Sequence, residues 1–204
     1  MVKVKLCGLK RRCDIAWANE ERPDFVGFVF AGKKRYVSDA QAGTLRSLLA
    51  ADIPAVGVFV NDTIDHIVSL VRAGTIQLVQ LHGQEEEAYI STLRSVIDVP
   101  LIKAFPVETA ADMKKALVSS ADYILVDHGA GGTGQTVDWS LLQGIERPWF
   151  LAGGLTPETV AEAVKMHPYA LDVSSGIETD GVKDRIKMRQ FMAQVRLAQQ
   201  EELL

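Results

Sequence analysis

The sequence predicts an α/β fold of the (β/α)8, or TIM-barrel, class, with eight parallel strands and their helices in a single domain over residues 1–204. Three observations predict it. Short β-branched apolar runs alternate with amphipathic helical stretches, and a parallel strand pair needs such a crossover. Eight runs fit into the chain, at the short end of the barrel's usual range, whereas a doubly wound sheet more often stops sooner. No Pro/Gly/Ser-rich linker interrupts the series, so nothing marks a second domain.

The strands read, in order, VKVKLC (2–7), FVGFVF (25–30), AVGVFV (55–60), IQLVQLH (76–82), VPLIKAF (99–105), DYILVD (122–127), WFLAGG (149–154) and ALDVSS (170–175). Between them, DAQAGTLRSLLA (39–50), DTIDHIVSLVRA (62–73) and EEEAYISTLRSVI (85–97) carry helical periodicity. Ser38 with Gln41 reads as a capping box, Asp62 and Asp138 stand as N-caps, and Thr156-Pro157 reads as a cap followed by an N1 proline. The tail MRQFMAQVRLAQQEELL (188–204) is the last helix.

Composition narrows the function. Apolar residues make up 48% and charged residues 24% of the chain, as in a soluble globular protein. The formal net charge of −4 speaks against nucleic acid as a partner. No window approaches the roughly 20 apolar residues of a membrane span, and MVKVKLCG does not read as a signal peptide. Two cysteines build no disulfide framework, which points to a reducing cytoplasm. Four histidines without metal-ligand spacing give a metal site no support, and no metal is expected.

Barrel enzymes work at the C-terminal ends of their strands, so polar residues there are the candidates. VDHGAGGTGQTVDW (126–139) contains a G-x-G-x-x-G spacing through Gly129, Gly131 and Gly134. A dinucleotide fold would start its helix inside the glycines and carry an acidic residue at the next strand end. Here the helix begins only at Asp138 and the next strand ends on Ala152, Gly153 and Gly154, so the dinucleotide reading fails. Phosphate fits better. Gly132, Thr133 and Gly134, then Gly153 and Gly154, then Ser174, Ser175 and Gly176 follow strands six, seven and eight. Three adjacent loops of this kind present backbone N–H groups and small hydroxyls to one point.

Cys7 ends strand one and Asp127 ends strand six, which makes them an acid/base pair across the mouth. A lowered thiol pKa would supply a thiolate base, and burial would push the carboxyl up toward an acid. A buried cysteine is more commonly a small apolar residue; the position at a strand end favours chemistry. Cys13, inside the first helix, keeps the structural reading. Lys5 shares the face of Cys7 and, buried in a barrel, needs a carboxylate, for which Asp172 is the candidate. Gln80 and His82 share a face of strand four, and His82 reads equally as a structural residue or a ligand contact. Lys33, Lys34 and Arg35 read as a solvated loop or an anion contact.

Together these residues resemble the phosphoribosylanthranilate isomerase family over essentially the whole chain. The matching blocks are KLCGL (5–9), GFVF (27–30), RYVS (35–38), VGVFVN (56–61), VQLHG (79–83), GGTG with DW (131–139), LAGGL (151–155) and DVSSGIE (172–178), followed by G-x-KD (181–184). The resemblance implies an Amadori rearrangement of a small-molecule phosphosugar-anthranilate substrate. It makes Asp127 the general acid, Cys7 the general base and Arg35 the partner of the anthranilate carboxylate, and it implies no cofactor. By their places at the mouth, His82 and Asp172 are further candidate substrate contacts, and the sequence fits a monomer or a homodimer. AGKKRYVS departs from the family's usual Ser-Pro before the arginine, which leaves Lys34 and Arg35 both in play. The loop after Asp127, His128 to Ala130, is shorter than in many relatives. Another phosphate-binding barrel enzyme, or a barrel that binds a phosphosugar without chemistry, is the alternative.

Overall fold

The computed structural model describes residues 1–127, 139–142 and 144–202. Within them eight parallel strands close a barrel in sequence order: β1 (Lys3–Cys7), β2 (Phe25–Val29), β3 (Ala55–Phe59), β4 (Leu78–Leu81), β5 (Leu101–Pro106), β6 (Tyr123–Asp127), β7 (Trp149–Ala152) and β8 (Ala170–Val173). β1 pairs with β8 to close the ring, setting Lys5 opposite Asp172. Several strands are shorter than their apolar runs. β7 stops before Gly153 and Gly154, whose φ values of 97° and 63° turn the chain out of the sheet.

Seven helices among the described residues cover the barrel: α1 (Arg12–Glu21), α2 (Asp39–Leu48), α3 (Ile64–Arg72), α4 (Glu87–Arg94), α5 (Ala110–Leu117), α6 (Val160–Val164) and α7 (Arg185–Glu201). α7 shows why they dock. Met188, Phe191, Met192, Val195 and Ala198 form one apolar stripe and are all buried. This layer, between helices and strands, is the larger core. A smaller one fills the barrel itself, with Phe25, Val56, Leu78, Ile102, Leu125 and Phe150 pointing inward.

Local signals are shifted more often than wrong. Ser38 caps α2 by accepting from the Gln41 amide, but the Gln41 side chain donates to Lys10 O at 2.7 Å instead of closing the box. Thr63, one residue after Asp62, caps α3, while Asp62 accepts from the Thr63 amide. Thr156-Pro157 opens a turn, and α6 begins only after Thr159. α7 starts at Arg185, three residues before the expected Met188, because Asp184 accepts from the amides of Ile186 and Lys187. The expected cap Asp138 lies outside the described residues, and a 3-10 turn at Trp139–Leu142 follows β6. A two-stranded hairpin, β9 (Glu178–Thr179) with β10 (Val182–Lys183), has no counterpart in the sequence pattern; its turn runs through Asp180 and Gly181, both at positive φ. No helix among the described residues is long and apolar enough to cross a membrane.

Candidate active site

A cavity of about 490 Å³ opens at the C-terminal ends of the strands. Cys7, Gln80 and Asp172 line it, with His82, Asp127, Gly153, Gly154, Ser174, Ser175, Lys34 and Arg35 around them. The topology thus brings residues of β1, β4, β6 and β8 together with the loops after β2, β4, β7 and β8. Gly176 lies beside that rim, and a Cβ there would sit 1.8 Å from Leu155 O, so only glycine lets the loops after β7 and β8 touch. Gly132, Thr133 and Gly134 lie outside the described residues.

At one end of the polar constellation the fully buried Lys5 ammonium donates to Asp172 Oδ2 at 2.9 Å, to Gln80 Oε1 at 2.6 Å and to Cys7 Sγ at 3.3 Å. Burial alone would strip the proton from Lys5, but Asp172 and Cys7 outweigh it and hold the ammonium. Cys7 differs from expectation. Burial pushes its thiol above the ordinary value, and the neighbouring ammonium offsets this only in part. A resting thiolate is therefore not what this environment favours. Gly27 makes the space for the sulfur: a Cβ at that position would sit 2.7 Å from Sγ. Asp172 Oδ1 is buried and has no hydrogen-bond partner among the described residues, an acceptor left over beside the cavity.

Asp127 is less enclosed than the sequence suggested, with its side chain 35% exposed. His82 Nε2 stands 3.4 Å from its Oδ2, and the other ring nitrogen, Nδ1, meets Gln80 Nε2 at 2.8 Å.

The cation-rich side is built around Glu178. Arg35 donates to it through Nε at 2.7 Å and Nη2 at 2.8 Å, the buried Lys183 donates at 2.7 Å, and Lys34 Nζ stands 3.8 Å away. Burial would raise the Glu178 carboxyl, but these cations reverse that and hold it down at about 2. Gly8 lets Arg35 lie where it does, since a Cβ there would sit 2.5 Å from the arginine's Cδ. Lys183 also donates to Ser174 O, while the Ser174 hydroxyl donates to Cys7 O at 3.1 Å. Ser174 is thus engaged within the protein, and Ser175 with the glycine loops is the freer surface.

Sequence reasoning missed Glu178 and Lys183 as site-building residues, although both stand in family-like blocks, DVSSGIE and G-x-KD. Arg35 and Glu178 are 143 residues apart, beyond any local pattern. Among the described residues no His/Cys/Asp/Glu group could hold a metal ion.

Residues 4–194 match the family model described as N-(5'-phosphoribosyl)anthranilate (PRA) isomerase. The N-(5'-phosphoribosyl)anthranilate isomerase of Endomicrobium trichonymphae is 48% identical over 193 residues, covering 92% of this chain and 95% of that one. That of a Thermoanaerobacter strain is 41% identical over 203 residues, covering 96% and 98%. Among solved structures, the phosphoribosyl anthranilate isomerase of Thermotoga maritima superposes with a TM-score of 0.88 at 35% identity, over 96% of this chain and 99% of that one. A phosphoribosyl anthranilate isomerase in complex with reduced 1-(o-carboxyphenylamino)-1-deoxyribulose 5-phosphate gives 0.85 at 35% identity, with the same coverage.

Proposed function

The chain belongs to the N-(5'-phosphoribosyl)anthranilate isomerase family and is an isomerase of tryptophan biosynthesis, and from that premise we propose how its residues divide the reaction. Asp127 is the general acid. It protonates the ring oxygen of the phosphoribosyl group, so that the C1–O bond breaks and the ring opens to a protonated Schiff base. Cys7 is the general base. It takes the C2 proton, and the electron pair left behind gives an enolamine that tautomerises to the 2-ketone product. The observation that carries this reading is that Cys7 and Asp127, from separate strands, both line one cavity of substrate size.

The remaining contacts follow from charge and donor chemistry. The phosphate sits against Gly153, Gly154, Ser175 and Gly176, together with Gly132, Thr133 and Gly134 of the loop after β6. The anthranilate carboxylate meets Arg35. Glu178 holds that guanidinium in place, whereas the Lys34 side chain is 62% exposed. Asp172 Oδ1 accepts from a substrate hydroxyl or N–H. No cofactor is needed, since proton transfers and the ring opening they trigger complete the reaction. The protein works as a monomer or a homodimer, and its two free cysteines suit the cytoplasm.

Steady-state turnover of freshly generated phosphoribosylanthranilate tests the division of labour. Cys7→Ala and Asp127→Asn are each expected to lower kcat by roughly 10²- to 10⁴-fold while product-analogue binding persists. Wild-type kcat in Asp127→Asn overturns the acid assignment. Binding without turnover in the unaltered protein would favour a phosphosugar-binding barrel.

A further inference from the structure

We infer that Lys5 and Gln80 are positioning residues that fix His82 in its Nε2–H tautomer and aim that proton at Asp127. The inference rests on the reading of Asp127 as the acid.

The hydrogen-bonding role of Lys5 is unambiguous. An ammonium has three protons and no lone pair, so Lys5 can only donate. Its contact with the Gln80 amide at 2.6 Å therefore has to be to the amide oxygen. That choice decides the other end of the same amide. Gln80 is 1% exposed, so an N–H group turned toward the ammonium would be a buried donor facing a donor. With Oε1 on Lys5, the Nε2 donor faces His82 Nδ1 at 2.8 Å. A donor there requires a lone pair on Nδ1. The single proton of neutral imidazole then sits on Nε2, 3.4 Å from Asp127 Oδ2. An imidazolium, or the Nδ1–H tautomer, would set two N–H groups against each other. The backbone completes the clamp, because the His82 amide donates to Phe59 O at 2.8 Å.

The consequence is chemical. The Nε2–H of His82 then points toward Asp127 Oδ2 at 3.4 Å and leaves Oδ1 to carry the proton for transfer. It also keeps a cation away from a carboxyl that has to be protonated to act. One chain of contacts, Cys7–Lys5–Gln80–His82–Asp127, then runs from the base to the acid.

Long-range ¹⁵N–¹H NMR of the whole ligand-free protein near neutral pH reads the tautomer directly, with the His82 signals assigned by their loss in His82→Asn. The expected result is Nε2–H in the unaltered chain. Gln80→Glu turns an acceptor toward Nδ1 and is expected to bring a proton onto that nitrogen. Gln80→Leu removes the amide, and kcat should fall about ten- to a hundredfold with KM little changed. Nδ1–H or imidazolium at His82 in the unaltered protein overturns the proposal without reference to any variant. So does wild-type kcat in Gln80→Leu, and that result leaves the Asp127 reading intact. Wild-type kcat in Asp127→Asn removes the acid itself, whatever tautomer His82 holds.

Discussion

At Cys7 two influences oppose each other. Burial raises the thiol, the Lys5 ammonium at 3.3 Å lowers it, and burial wins. The thiolate fraction of Cys7 therefore grows only toward alkaline pH. In a Cys13→Ser background, the rate of Cys7 alkylation is expected to rise with pH on the alkaline side of the ordinary thiol range. Lys5→Met is expected to move that rise further alkaline, because the cation is what restrains it. An alkylation rate already on its plateau at neutral pH would contradict this. At Arg35 the determining fact is its two-point grip on Glu178. Arg35→Ala is expected to weaken a carboxyphenylamino product analogue about tenfold or more and to leave inorganic phosphate affinity unchanged, as calorimetry would register. Equal losses for both ligands would move Arg35 to the phosphate side.

Between elements, small residues and straps decide the geometry. Gly27 on β2 faces Cys7 across the β1–β2 pair, and the Cβ of an alanine there would need the space of the sulfur. Gly27→Ala is expected to lower kcat at least tenfold by displacing the thiol, with a smaller effect on KM. A second strap joins α2 to α3. His66 Nε2 meets Asp39 at 2.9 Å and Nδ1 meets Asp62 at 2.8 Å, while its ring packs edge-on against Phe30 and Phe59. Burial works against charging this imidazole, but the two carboxylates outweigh it and raise its pKa. Because the folded value lies above the unfolded one, the strap contributes fully below the unfolded pKa and is lost as pH rises through the folded one. Urea melts across that window should show a stability decline that His66→Phe flattens.

For the molecule as a whole, the barrel interior carries both stability and site. Phe150 is fully buried and packs against Phe25, Tyr123 and Tyr169 with ring centroids 5.7, 5.5 and 5.8 Å away. Phe150→Ala is expected to cost about 3–5 kcal/mol in denaturant unfolding, because a cavity in a closed ring of strands has little room to collapse. In the same barrel interior β1, β4 and β8 present Lys5, Gln80 and Asp172, so the aromatic plug and the polar site share one ring of strands.

Much of this is legible in the sequence because strand and helix periods are local. The eight apolar runs locate all eight strands, and parity along β1 and β4 pairs Lys5 with Cys7 and Gln80 with His82. Position at a strand end is enough to single out Cys7 and Asp127, and the need of a buried lysine for a carboxylate points to Asp172 across the β1–β8 seam. Helix starts slip by one to three residues because caps compete within a turn: Thr63 displaces Asp62, and Asp184 lengthens α7. The features that escape a sequence reading are long-range. Arg35 finds Glu178 only after the barrel has closed, and the tautomer of His82 depends on an ammonium 77 residues earlier in the chain. By itself the sequence determined the architecture and the chemical types at the mouth, since hydrophobic period and strand-end position are properties of neighbouring residues. Only the tertiary structure decided what those groups are worth. Burial, a guanidinium's partner and the direction of an amide are set by atoms that chain order leaves far apart.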